Sequence, residues 1–147
     1  MARPIKSGLD YFPMDVREDK KESLIFSKFG LIGKGLTIAL LAEIYGEHGY
    51  YCDMSEEDKL IFAVRMKIDE EFLDEFLDLA FKIHLFDREM YDKYSILTSK
   101  SIQKIYFSAI SRRKNIKYIS EYLLMDFDDD ITDEFLNANG GSYKNKF

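Results

Sequence analysis

The stretch "KIDEEFLDEFLDLAFKIHLFDREMYDKYSILTS", residues 67–99, decides how this chain is read. Phe72, Leu73, Phe76, Leu77, Ala80 and Ile83 recur at helical spacing, which predicts an amphipathic helix over 69–83 with Asp69 as its cap. Two short strand candidates follow, "HLFD" (84–87) and "SILTS" (95–99). The seven residues between them, "REMYDKY", read as a single helical turn inside a loop. The outer side of the helix would carry Glu70, Glu71, Asp74, Glu75 and Asp78, with Lys82 alone to offset them.

Upstream, "SEEDKLIFAVRMK" opens with Ser55 at a cap position and Asp58 three residues on, a near capping box. Leu60, Ile61 and Val64 are expected to supply the buried side of this helix. "YYCD" (50–53) is a short, aromatic strand candidate. Before it, "GKGLTIALLAEIYGEHGYY" is the strongest helix in the chain, with Leu36, Ala39, Leu40 and Ile44 on its apolar side and Gly46 or Gly49 at its end. Residues 18–30 hold Leu24, Ile25 and Phe29 at helical spacing, and Gly30 is placed to stop that helix. "GLDYFPMDV" (8–16) is read as an extended arm or edge strand, because Pro13 removes a ladder donor.

Downstream, "KSIQKIYFSAISRRKNIKYISEYLL" predicts a last helix or helix pair with Ile102, Ile105, Tyr106, Ala109 and Ile110 inward. The domain is expected to span 1–125. Residues 126–147 form an acidic, then small and polar tail that is expected to be partly disordered. The fold class is mainly α with a small β wing (α+β). The order from residue 34 to 98 is helix, strand, helix, helix, strand, strand, which is that of a winged helix-turn-helix. An N-terminal extended arm and an extra C-terminal helix flank it.

The whole chain bounds the function classes. Its 147 residues are one domain's worth, and an apolar share of 46% describes a globular protein. A net charge of −6 gives no global pull toward nucleic acid or anionic lipid. The single cysteine, Cys52, makes neither an internal disulfide nor a cysteine-based zinc site and fits a reducing cytoplasm. No apolar signal region opens the chain, and "LTIALLAEIYG" is about half the length of a membrane helix. A cytoplasmic protein with no membrane partner is expected.

The three segments "ARPIKSGLDYFPMDV" (2–16), "FGLIGKGLTIALLAEIYGEHGYY" (29–51) and "LFDREMYDKYSILTSKSIQKIYFSAISRRK" (85–114) together carry a family resemblance. The chain resembles the winged-helix-like N-terminal domain of unknown function found in phage and prophage proteins related to the DnaD replication initiators. The resemblance implies a DnaD-like winged helix, a role in initiating replication of phage or mobile-element DNA, and a tendency to self-associate. It carries over no catalytic residues. Fuller members continue into a second, helical DNA-binding domain, whereas here an acidic stretch follows. Strong DNA binding by this chain alone is therefore not expected.

Charge is sharply segregated. Residues 53–90 hold twelve acidic and five basic side chains, whereas residues 99–118 hold six basic and none acidic. DNA is gripped by cations that displace counterions from phosphates, so a helix carrying Glu70, Glu71, Asp74, Glu75 and Asp78 is a poor groove reader. That face is either a docking surface for a basic protein or a solvated helix side. Nucleic-acid contact falls instead to Lys100, Lys104, Arg112, Arg113, Lys114 and Lys117, with Arg3 and Lys6 of the arm. Lys100, Lys104 and Arg112 would share one helix side. The same cations could instead satisfy helix-end carbonyls, pair with the acidic tail, or stay solvated. The expected partners are duplex DNA, bound weakly and salt-dependently, a second copy of the chain, and a replication protein.

Other constellations carry little. "GLIGKGLT" (30–37) lacks the ending of a phosphate loop, and His48 and His84 lie in separate elements. "DFDDD" (126–130) lacks the glycine and terminal glutamate of a calcium loop. No catalytic arrangement and no cofactor or metal site is legible. The two functions left are a non-catalytic DNA-associated module and an oligomerisation or protein-docking domain without DNA affinity of its own.

Overall fold

The computed structural model describes residues 7–114 and 116–125. Five helices and one antiparallel strand pair account for its regular structure: α1 (Lys20–Glu47), β1 (Cys52–Asp53), α2 (Glu56–Met66), α3 (Glu70–Lys82), α4 (Arg88–Tyr94), β2 (Ile96–Leu97) and α5 (Lys100–Ala109), followed by a 3-10 turn at Ser120–Tyr122. The chain is thus mainly helical with a small sheet. The acidic and polar tail from 126 onward, and Arg3 and Lys6, lie outside the described residues.

The two helices expected over 18–30 and 34–48 are one element bent at Gly30, whose φ of 64° and ψ of −143° are not helical. Only glycine takes that conformation without strain. Asp19 starts α1 by accepting from the Glu22 N–H at 2.8 Å. Leu36, Leu40 and Ile44 are buried as their spacing predicts, and Phe29 meets Phe72 and Phe76 of α3. By length and composition alone α1 is long and apolar enough to cross a bilayer, more than residues 36–46 suggested. Its buried residues, Ile25, Leu36, Leu40, Ile44 and Tyr45, belong to the hydrophobic core. Gly49 closes the helix at φ 91°, its N–H donating to the Ile44 carbonyl at 2.8 Å.

Residues 8–16 form no strand; they run as an arm over the end of α1. The Leu9 N–H donates to the Tyr45 carbonyl at 2.7 Å, and Phe12 stacks on Tyr45 with centroids 5.0 Å apart.

α2 begins with the full capping box of Ser55 and Asp58. Its buried side is not the expected one. Leu60, Ile61 and Val64 are 48%, 56% and 69% exposed, while Phe62 and Ala63 are buried and Met66 packs on the core. The sequence offers two apolar stripes on this helix, and packing against α3 selects the one carrying Phe62. Arg65 pairs with Glu43, which ties α2 back to α1. Lys67 turns through the left-handed region at φ 58°, and α3 follows with Leu73, Phe76, Leu77, Ala80 and Phe81 inside.

The first strand of the expected wing does not form. After α3 the chain folds back on the helix end: Leu85 N–H donates to the Ala80 carbonyl at 2.8 Å and His84 N–H to Phe81 at 3.1 Å. Those groups are then spent on turns and not on a ladder. Asp87 instead caps α4, accepting from Met90 N–H at 2.9 Å. A single backbone bond, Asp87 N–H to Thr98 carbonyl at 2.8 Å, survives where a hairpin would run. β2 pairs with β1 in antiparallel register, Cys52 opposite Leu97 and Asp53 opposite Ile96.

Ser99 caps α5, accepting from Ile102 N–H at 3.2 Å. Ile102, Tyr106 and Ile110 point inward as expected, but Ile105 and Ala109 do not; Gln103 and Phe107 take the interior places. The helix stops at Ala109; of the last helix or helix pair expected over 100–124, the structure keeps α5 and the 3-10 turn at Ser120–Tyr122.

Two outcomes test this arrangement. A Cβ at Gly49 would overlap the Tyr106 ring. Gly49→Ala is therefore expected to cost about 2–4 kcal/mol in urea unfolding, from left-handed strain plus overpacking. Cys52 is buried and its thiol is pushed well above the usual range, mainly by desolvation. At pH 8 a thiol reagent should label it at least about tenfold more slowly in the native chain than in the unfolded one.

Candidate nucleic-acid interface

The basic run divides into two groups. Lys100 and Lys104 are exposed, one turn apart on the outer side of α5. Arg112, Arg113 and Lys114 follow the helix in a turn that Ser111 N–H closes onto Ser108 at 3.3 Å and Arg113 N–H onto Ile110 at 2.8 Å. Arg112 therefore does not extend the helix face of Lys100 and Lys104. Lys117 lies beyond, in a segment without regular structure. Arg112, Lys114 and Lys117 are exposed, whereas Arg113 is half-buried and its Nη1 donates to the Gly8 carbonyl at 2.9 Å. Arg113 thus fastens the N-terminal arm.

A chain without helix or strand needs other partners for its backbone, and buried polar side chains supply them here. Gln103 Nε2 donates to Thr98 Oγ1 at 3.0 Å and to the Tyr122 carbonyl at 2.8 Å. Gln103 Oε1 accepts from Leu124 N–H at 2.7 Å. Thr98 in turn donates to the Tyr50 carbonyl, and the Tyr50 hydroxyl accepts from Ile119 N–H at 2.8 Å. Aromatic rings reinforce the clasp: Tyr118 meets Phe107 edge-on at 6.3 Å and Tyr122 meets Tyr51 at 4.8 Å.

Between this returning segment and residues 48–51 lies a cleft of about 400 Å³. Arg113, Lys114 and Lys117 line it together with Tyr118, His48 and Tyr51, and Tyr50 and Tyr106 complete the wall. Among the described residues no acidic side chain lines it. His48 lies flat on Tyr51, with centroids 4.4 Å apart and an interplanar angle of 3°. Burial raises the hydroxyl pKa of Tyr50, Tyr51 and Tyr106. These tyrosines stay protonated at neutral pH, so the cations set the sign of the cleft.

α3 presents the opposite sign. Glu70, Glu71, Asp74, Glu75 and Asp78 are all exposed, and the apolar stripe faces inward. Lys82 is not their only counterweight. Lys59 Nζ lies 2.9 Å from both Asp74 and Glu56, and Arg88 approaches Asp78 at 3.9 Å and Asp92 at 3.4 Å. Glu70, Glu71 and Glu75 make no ion pair among the described residues. The acids thus sit on α3 and the cations on α5 and the segment after it, and three of the sequence-selected cations line one cleft. The aromatic side of that cleft was missed in the sequence; the run "GYY" before Cys52 was its one visible sign.

No group of three or more His, Cys, Asp or Glu side chains suited to a metal occurs among the described residues. What fold and surface define is a small α+β domain with an acidic helix on one side and a cationic, aromatic cleft on another. The chain belongs to the Lin1244/Lin1753-like family, whose N-terminal domain matches residues 11–102. It is 41% identical over 128 residues to the uncharacterized phage-related protein Lin1244/Lin1753 of Listeria innocua serovar 6a, a match covering 86% of this chain and 42% of that protein. The chain thus spans less than half the length of this relative. No solved structure matches the chain.

The clasp has a direct test. Tyr50→Phe removes the acceptor of the Ile119 N–H and should lower stability by about 1–2 kcal/mol. Trypsin should then cut after Lys114 or Lys117 several-fold faster, while cleavage elsewhere stays unchanged.

Proposed function

We propose that this chain is a non-catalytic, DNA-associated winged-helix module of a phage or mobile-element replication initiation protein, working in the cytoplasm. The observation that carries the DNA part is the segregation of charge: Lys100, Lys104, Arg112, Lys114 and Lys117 are exposed in a segment without acids, while the acids gather on α3. Phosphates favour the first surface and are repelled by the second. The winged-helix part is supported by the order α1, β1, α2, α3 and by the pairing of β1 with the strand that precedes α5; α4 stands in place of the wing's first strand. The phage setting is supported by the Listeria relative, a phage-related protein. The replication role rests on the resemblance of the three sequence segments to DnaD-related proteins.

A second reading has one observation of its own. The α2–α3 pair presents exposed Leu60, Ile61 and Val64 on one helix and Glu70, Glu71 and Glu75 on the other. Apolar and acidic side chains together suit a protein partner with a basic rim, either a replication protein or a second copy of the chain.

A fluorescence-anisotropy titration of a short duplex across salt separates the two. DNA association requires measurable binding at low salt and a log–log slope of about −2 to −4, reflecting a few phosphate contacts. Lys100→Glu with Lys104→Glu should weaken it about tenfold, the scale of losing two such contacts. Glu75→Lys should leave it equal or tighter. Absence of binding at 50 mM salt would end the DNA reading and favour docking.

A further inference from the structure

We propose that the cleft between residues 48–51 and 110–119 seats one unpaired nucleotide of single-stranded DNA, its base against His48 and Tyr118 and its phosphate at Lys114 and Lys117. This rests on the nucleic-acid reading above and narrows it to a particular substrate form.

Size selects the ligand first. A cleft of about 400 Å³ is at the lower end of small-ligand sites and suits one nucleotide. A duplex is far wider, so its bases enter only when splayed from the stack.

Chemistry selects it second. The chain carries 27 acidic residues and a net charge of −6, yet the described side chains lining this cleft include three cations and no carboxylate. Cations interleaved with aromatic rings are the elements of single-strand recognition: charge follows the backbone and rings stack on bases regardless of sequence. The His48 side chain is 40% exposed; one face of its imidazole rests on Tyr51, its Nε2 lies 3.9 Å from the Asp53 carboxylate, and the base would stack on the face opposite Tyr51. Tyr118 is half-buried and held edge-on by Phe107, so its ring is positioned before any ligand arrives.

The cleft is also built into the fold. Its outer wall is the segment fixed by Tyr50 and Gln103, and Arg113 within it is committed to the Gly8 carbonyl. Arg113 therefore positions the wall, and Lys114 and Lys117 remain on its exposed side. An acidic peptide would share the phosphate's charge, and one with an aromatic side chain, as in the chain's own "DFDDD" stretch, would also meet the rings; comparing thymidylate with an abasic strand isolates the contribution of the base.

The test uses the full chain and three fluorescein-labelled probes at 50 mM salt: a twelve-residue oligothymidylate, an abasic strand of the same length, and a hairpin duplex. Oligothymidylate should bind at least fivefold more tightly than the abasic strand, since stacking contributes only where bases exist. Tyr118→Ala or His48→Ala should reduce it to the abasic level, and Tyr118→Phe should retain it. Lys117→Glu should weaken both single strands. Thermal melting of each variant separates lost contact from lost fold, and a crosslink from 5-iodouracil to His48 or Tyr118 would place the base without any substitution. Equal binding of the thymidylate and abasic strands overturns the proposal and leaves an anion trough. So does thymidylate binding that is indifferent to both ring removals in folded protein. In those cases duplex binding that still responds to Lys100 and Lys104 leaves the broader reading standing; no binding to any probe removes both.

Discussion

The side-chain amide of Gln103, wholly buried at the join of α5 and the C-terminal segment, is the constraint on which the candidate interface depends. An unsatisfied amide there would cost several kcal/mol, roughly what transfer of such a group from water costs. Its two ends are instead spent on Thr98, Tyr122 and Leu124. Thr98 and Tyr50 extend the same chain of bonds to Ile119. No buried side-chain polar atom among the described residues is left without a partner. A network of this kind specifies one arrangement, because partial satisfaction is worse than none. It lets a segment with little regular structure form a fixed wall, and that wall carries the cations.

Placement of charge then follows from which faces the core claims. α3 buries a continuous stripe of Leu73, Phe76, Leu77 and Ala80, so its acids have only solvent to face. Lys59 and Arg88 bind two of those acids from neighbouring helices. This moderates the field of the helix but does not reverse its sign. The basic residues lie after Ser99, where α5 and the turn behind it leave them outward. Under the proposed DNA reading, charge favours an approach from the side of α5 over one led by α3.

The regular parts of the fold were legible because they rest on local rules. The capping box at Ser55, the break at Gly30, the stripe of α3 and the short helix over 88–94 each follow from spacing or a backbone preference of a few residues. Failures came where tertiary packing chose between local options. α2 has two apolar stripes, and nothing within its own sequence says that Leu60, Ile61 and Val64 face out. "HLFD" has strand-like composition, but the end of α3 takes its N–H groups first. Gln103 reads as a surface residue until its partners, nineteen and twenty-one positions later, are seen to return to it. The cations of the candidate interface were legible by sign alone. Their cleft was not, since it joins residues some sixty positions apart.

Amide chemical shifts during titration of the isotope-labelled chain with short DNA test the lateral approach most directly. Perturbations gathered at Lys100, Lys104, Arg112, Lys117 and Tyr118, with residues 70–82 unmoved, are the expected result. Perturbations running along α3, at Glu71, Asp74 and Asp78, with the α5 side silent, would contradict it.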